Sequence, residues 1–261
     1  MADDTGESIT GLYDSCVFDQ LMGDILRPGG IGLTAKVAEI AGIKKNDTVL
    51  DVGCGKGVTA AFLAREYNVR VVGIDLSSAM VSSCRSKTGE KETAGRIDIL
   101  VGDGENLPFR DSSFDIVMLE SAFSLIPDKK LAAMDICRVL KSNGRLILSD
   151  FILRETIDKE LQEKIKFPCC LSGALRFDEY IRLFELTGFK SHYIEDRSDE
   201  LKKVGYQFYM YLSSTDNLSE LRPAGPCRIK GMSDSAVSIE LLQEFFKLSK
   251  PGYVLMVMSK T

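Results

Sequence analysis

The stretch "VLDVGCGKG", residues 49 to 57, decides the fold. An apolar run of strand length carries an acid, Asp51, near its end, and Gly53, Gly55 and Gly57 follow at alternate positions. Directly after them, "VTAAFLAREY" at 58 to 67 has apolar residues three and four apart, the spacing of one helix face. The segment therefore reads as strand, tight turn, helix. Glycines in such a turn let the backbone bend sharply and let a ligand come close to it. A dinucleotide loop would place a glycine where Val58 stands, and a P-loop would need Lys-Ser or Lys-Thr after a longer spacing, so neither phosphate-binding pattern fits. The charge of Asp51 would repel a pyrophosphate but suits an ammonium group, which points to a ligand with an amino-acid end.

Working outward, apolar runs of strand length alternate with segments of helical period. The runs are "TVLDVG" (48 to 53), "VRVVGID" (69 to 75), "IDILVGD" (97 to 103), "FDIVMLE" (114 to 120), "GRLILSD" (144 to 150), "SHYIED" (191 to 196) and "YVLMVMSK" (253 to 260). "LAAMDICRVL" at 131 to 140 is a second clear helix segment. This alternation predicts an α/β fold, a doubly wound, seven-stranded, mostly parallel sheet of Rossmann-like type covered by helices. Residues 1 to 261 are expected to form one domain. Within it, 1 to 32 is an N-terminal lid, 33 to 150 the cofactor-binding core, 151 to 190 a substrate-covering excursion, and 191 to 261 the C-terminal part of the sheet. Ligands in such folds bind at the carboxyl ends of the strands.

Composition bounds the function. With 44% apolar and 27% charged residues the chain is an ordinary globular mixture. A net charge of -5, with lysines and arginines interspersed among acids, argues against nucleic acid and for a small-molecule substrate. The start, "MADDTGESIT", is acidic where a secretory signal would be basic and then apolar, and no run is long enough to cross a bilayer. A cytoplasmic protein with no membrane partner is expected. Seven cysteines without regular spacing then imply thiols, not a disulfide framework. His192 is the sole histidine, which disfavours a histidine-built metal site and a Ser-His-Asp triad, so no metal is expected.

The glycine segment resembles the first motif of the class I S-adenosylmethionine-dependent methyltransferases, and the later strand ends are similar in order. Asp75, in "VVGIDLSSAM", matches the acid that takes the ribose hydroxyls in that family, since a carboxylate can accept two hydrogen bonds. Asp103, Gly104 and Glu105, in "VGDGENLPF", resemble the segment flanking the adenine, and "FDIVMLESAFSLIPD" with "RVLKSNGRLILSD" looks like the fourth and fifth strand regions. The resemblance implies S-adenosyl-L-methionine as cofactor. Its implied binding set is Asp51, Gly53, Gly55, Gly57, Asp75, Leu76, Asp103, Gly104, Glu105 and Glu120. After the fourth strand the chain reads "LESAFSL" instead of the Asn-Pro-Pro-Tyr type sequence of methyltransferases acting on adenine or glutamine, which disfavours those acceptors.

Locally, "CCLSGALRFDEYIRLFELTGF" at 169 to 189 and "SLIPDK" at 124 to 129 are similar to arsenite methyltransferases, where a cysteine before a glycine turn offers its thiolate to arsenic. That similarity makes Cys170 the substrate thiol, with Cys169 and Cys16 as helpers, because soft arsenic prefers sulfur. The C-terminal cysteine of that pattern has no clear counterpart, since Cys227 lies in a different local sequence. Against this stands the habit of buried cysteine to pack as a small hydrophobe, the reading for Cys54, Cys84 and Cys137. Tyr13 could close over the cofactor or simply anchor a helix. Three functions follow: methyl transfer to a thiolate-bound metalloid such as arsenite, carbon or oxygen methylation of the quinone-biosynthesis type, or cofactor binding without catalysis.

Overall fold

The computed structural model describes residues 27–87, 93, 95–158, 170–171, 173–204 and 239–261. In chain order its main elements are α1 (Gly30–Ile40), β1 (Thr48–Val52), α2 (Val58–Glu66), β2 (Arg70–Asp75), α3 (Ser78–Lys87), β3 (Ile97–Val101) and β4 (Phe114–Glu120). Then come α4 (Lys129–Val139), β5 (Leu140–Leu153), β6 (Leu175–Arg176), α5 (Phe177–Leu186), β7 (Phe189–Asp196), α6 (Ile239–Ser249) and β8 (Pro251–Lys260). The strands stand in the order β3-β2-β1-β4-β5-β8-β7, with β6 on β5. β1 to β5 pair in parallel, and β8 runs antiparallel to both β5 and β7.

Both faces of the central strands are apolar because both are covered, as parallel sheets require. One face sends Leu50, Val117, Leu119, Leu146 and Leu148 against Ala132 and Ile136 of α4 and Tyr180 and Phe184 of α5. The other sends Val49, Ile116, Met118 and Ile147 against Leu33 and Val37 of α1 and Ala60 and Leu63 of α2. This is the doubly wound sheet that the alternating runs imply. β1 sits between β2 and β4, so the chain departs in opposite directions on its two sides, and a crevice opens at their carboxyl ends.

Helix starts are built from local chemistry. Asp128 caps α4 by accepting from Leu131 N at 2.9 Å, and Ser77 Oγ accepts from Met80 N at 3.1 Å at the start of α3. At α5, Arg176 N donates to Glu179 Oε2 at 2.9 Å, which helps turn the chain out of β6. The two-residue β6 is an addition to the seven expected runs. β5 continues to Leu153, past the end of "GRLILSD", and its extension offers Ile152 and Leu153 as partners to Leu175 and Arg176. No helix among the described residues is long and apolar enough to cross a membrane.

Candidate cofactor and acceptor site

The glycine turn is held by β2. Gly53 N and Cys54 N both donate to Ile74 O, at 2.8 and 3.1 Å, and Gly55 N donates to Asp75 Oδ2 at 2.7 Å. Asp75 Oδ1 accepts from Ser77 N at 2.9 Å, so this carboxylate ties the turn to the start of α3. Gly53 has φ 74° and would place a Cβ 2.5 Å from that of Ala122, so only glycine lets the turn lie against the exit of β4. Gly55, with φ 51°, has nothing within 4 Å of the same position, an opening toward which a ligand can approach. Gly57 also has positive φ and precedes α2. Leu76, beside Asp75, is 47% exposed, an apolar surface next to a hydrogen-bonding acid.

Beyond β3, Asp103 is exposed and its Oδ1 accepts from Glu105 N at 2.9 Å. A Cβ on Gly104 would lie 2.9 Å from Ile126 Cδ1 and 3.2 Å from Val52 Cγ1, which packs this turn against the end of β1. Glu105 has a scaffold contact: its Oε1 accepts from Asp128 N at 2.6 Å, at the start of α4.

Two carboxylates emerge on the α1/α2 face at the crevice, Asp51 from β1 and Glu120 from β4. Both oxygens of Glu120 are engaged. Its Oε1 accepts from Thr34 Oγ1 at 2.8 Å, and its Oε2 accepts from Thr59 Oγ1 at 2.7 Å and pairs with Arg27 Nη2 at 2.9 Å. Arg27 Nη2 also reaches Thr34 Oγ1. Asp51 differs: its Oδ2 is buried with no hydrogen-bond partner among the described residues. Burial and then the charge of Glu120 push its carboxyl up to about 8, against the opposing pull of Arg27.

Toward β5 and β8 several polar groups pair with one another, although Ser149 Oγ and Tyr180 Oη have no hydrogen-bond partner among the described residues. Ser121 Oγ and Tyr253 Oη lie 2.9 Å apart, and Tyr253 Oη donates to Ser149 O at 3.3 Å. Asp150 accepts from Ser124 N at 2.8 Å, Ser124 Oγ at 2.7 Å and Phe151 N at 2.7 Å. Burial pushes its carboxyl up to about 6 in spite of these three donors. Lys129 Nζ closes the same loop by donating to Ser124 O at 3.1 Å and Ile126 O at 2.9 Å. Cys170 is buried on top of this loop, with Sγ donating to Ser121 O at 3.1 Å. A Cβ on Gly173 would lie 2.0 Å from Ser124 O, so the glycine turn is seated directly on the β4 exit.

A family described as "Methyltransferase domain" matches residues 43–198, more than half of the chain. The chain belongs to that family. It is an S-adenosylmethionine-dependent, class I small-molecule methyltransferase. It is 27% identical over 253 residues to the O-methyltransferase cnsE of Penicillium expansum, covering 95% of this chain and 83% of that protein. It is 26% identical over 167 residues to the arsenite methyltransferase of Halobacterium salinarum, covering 63% of this chain and 42% of that protein. Its fold is shared with phosphoethanolamine N-methyltransferase 2 of Haemonchus contortus, solved with S-adenosyl-L-methionine, at a TM-score of 0.74 and 20% identity over 99% of this chain and 58% of that one.

The crevice of this methyltransferase fits the cofactor its family uses. The open face of Gly55, the carboxylate of Asp75 and the Oδ2 of Asp51, which has no hydrogen-bond partner among the described residues, lie at the carboxyl ends of β1 and β2. Arg27, Thr34 and Thr59 escaped the sequence reading, because nothing in their local segments marks them; Thr34 and Glu120 are 86 positions apart. The sequence-derived thiols part company here. Cys170 is in place beside the crevice, whereas Cys16, Cys169, Cys227 and Tyr13 lie outside the described residues. Cys54 and Cys84 are buried together, and their mutual hydrogen bond with burial raises the Cys54 thiol far above its ordinary range, which makes it packing. Cys137 is partly buried against the core, and His192 is exposed with Nε2 2.5 Å from Ser259 Oγ.

Proposed function

We propose that this methyltransferase methylates a hydroxyl oxygen of a small molecule. Bound, S-adenosyl-L-methionine supplies a methyl group on a sulfonium, already activated toward a nucleophile. The chain's own task is to fix both partners in line and to keep water away. In this reading Asp75 accepts the ribose hydroxyls, Asp103 with Gly104 borders the adenine, Gly53, Gly55 and Gly57 give the backbone its close approach, and Asp51 meets the ammonium group. Glu105 and Glu120 act one step back, by positioning Asp128 N and Arg27.

The observation that favours oxygen over arsenic is the placement of Cys170: its thiol is buried and donates to the backbone carbonyl of Ser121 at 3.1 Å, the habit of a cysteine that packs. The extended similarity to an O-methyltransferase supports the same acceptor. A second reading, arsenite held by Cys170 with Cys169 or Cys16, draws on the seating of the "CCLSGAL" turn against the β4 exit.

Two measurements test this. Calorimetry of Asp75→Ala should show cofactor affinity weakened by about 1.5 to 3 kcal/mol, the worth of hydrogen bonds to a charged acceptor. Unchanged affinity would remove Asp75 from the site. Turnover of the unaltered protein with a panel of phenols and alcohols, set beside arsenite plus glutathione, separates the acceptors; methylation of arsenite alone overturns the oxygen assignment.

A further inference from the structure

Ser121 follows the last residue of β4 and has a left-handed backbone, φ 54°, a conformation that costs a non-glycine residue energy and persists only where the surroundings enforce it. Three contacts enforce it here. Ser121 N donates to Ser149 O at 2.7 Å, Ser121 O accepts from Cys170 Sγ at 3.1 Å, and Ser121 Oγ lies 2.9 Å from Tyr253 Oη. The next residue, Ala122, is the one against which Gly53 packs, so Ser121 stands where the glycine turn meets the loop beneath "CCLSGAL". Counting hydrogens then fixes what its hydroxyl can offer. Tyr253 Oη has one hydrogen and gives it to Ser149 O at 3.3 Å, so the contact with Ser121 uses the hydrogen of Ser121. Ser121 Oγ is left as an acceptor with no hydrogen to give.

We infer that Ser121 Oγ accepts the hydroxyl hydrogen of an uncharged methyl acceptor with an apolar body, and that Tyr253 is the positioning residue that keeps Ser121 an acceptor. This rests on the oxygen-methylation reading above and assigns to it the contact that orients the nucleophile. A hydroxyl whose hydrogen is directed at Ser121 has its lone pairs free to face the sulfonium methyl. The apolar body follows from the surroundings: Tyr253 meets Phe151 edge-on at 5.3 Å, and Phe151 and Leu171 pack against the cluster of Leu153, Ile157, Ala174 and Phe245. The absence of charge follows from the nearby ionisable groups, which are engaged within the chain. Asp150 takes Ser124 and Phe151, and Lys129 gives to the carbonyls of Ser124 and Ile126.

Fluorescence titration of the protein saturated with S-adenosyl-L-homocysteine is the test, with 2-naphthol and 2-methoxynaphthalene as probes that share a body and differ in the O–H. The unaltered protein should hold 2-naphthol about 3- to 10-fold more tightly, the range for one neutral hydrogen bond. Ser121→Gly, which suits the left-handed backbone and so keeps the fold, should remove that preference by weakening 2-naphthol alone. Tyr253→Phe should remove it from the other side: Ser121 regains a hydrogen to give, and 2-methoxynaphthalene binds more tightly. A residue that only supports the fold would shift both probes together. Equal affinity of the unaltered protein for the two probes, no binding of 2-naphthol, or an unchanged preference in either variant overturns the inference. The oxygen reading is judged separately, by turnover of the panel of phenols and alcohols, and falls only if none of them is methylated.

Discussion

Asp51 and Asp150 are both buried aspartates near the carboxyl ends of strands in one sheet, and they are treated in opposite ways. Asp150 receives three donors from Ser124 and Phe151, whereas Asp51 Oδ2 receives none among the described residues. The difference follows from what each has beside it. Asp150 faces the β4 exit loop, whose own N–H groups need acceptors, and a buried N–H is rarely left unpaired. Asp51 faces a second carboxylate, Glu120, which takes the hydroxyls of Thr34 and Thr59 and the guanidinium of Arg27 for itself. A satisfied buried acid is scaffold; an unsatisfied one at a switch point is a place for a ligand.

The comparison breaks most visibly at Asp150. Asp150→Ala removes the acceptor of three buried donors and should lower stability by at least about 3 kcal/mol, since each orphaned group costs on the order of 1 to 3 kcal/mol. Thermal melting checks it, and a variant that melts like the parent would show that the loop does not depend on this carboxylate. Asp51→Asn should do the reverse: no loss of stability, because an uncompensated buried acid is replaced by a neutral amide, but cofactor affinity weaker by about 1.5 to 3 kcal/mol. A large drop in melting temperature in that variant would make Asp51 scaffold too. Cys170→Ser keeps a donor for Ser121 O and should cost about 1 kcal/mol of stability while sparing turnover per folded molecule. Lost turnover in a well-folded variant would return the thiol to the acceptor site.

The finest distinction is in pH. Both acids have folded values raised above the ordinary 3.8, Asp150 to about 6 and Asp51 to about 8, chiefly through burial. For a raised acid the folded state holds the proton more tightly, so the stability from these groups is complete below 3.8 and falls as pH rises through 6 and then 8. Around Asp51 stand Glu120, Cys84 and Asp75, which oppose its ionisation, and Arg27, which favours it. An arriving ammonium group lowers the Asp51 value, so cofactor binding near neutral pH should release a proton. Calorimetry in buffers of different ionisation heat measures that number, and a binding heat independent of the buffer would mean that Asp51 is already ionised.

Legibility in the sequence divides along the same line. The glycine turn, Asp51 and Asp75 could be read directly because their signal is local: strand, positive-φ glycines and helix start follow one another in the chain. Glu105 was legible as a position but not as a contact, since its partner Asp128 N lies 23 residues away at the head of α4. Arg27 and the two threonines could not be read at all, because they meet Glu120 only after α1 and α2 have packed on the same face of the sheet. β6 stayed hidden because two residues carry no periodicity; its pairing comes from the overlong β5. For Cys170 the residue type and the turn were evident, but the carbonyl it faces belongs to a loop 49 positions earlier.

The placement of β8 between β5 and β7 constrains how the molecule comes into being. Among the described strands β7 pairs only with β8, so during synthesis residues 189–196 leave the ribosome well before their partner at 251–260 exists. The sheet from β3 to β5 can close early on neighbouring segments, while the edge of β5 that later receives β8 waits uncovered, and such an edge invites pairing with another chain. A slow or interrupted elongation in the stretch between β7 and β8 therefore exposes a nascent edge, and the burden of keeping it apart from its neighbours falls on chaperones.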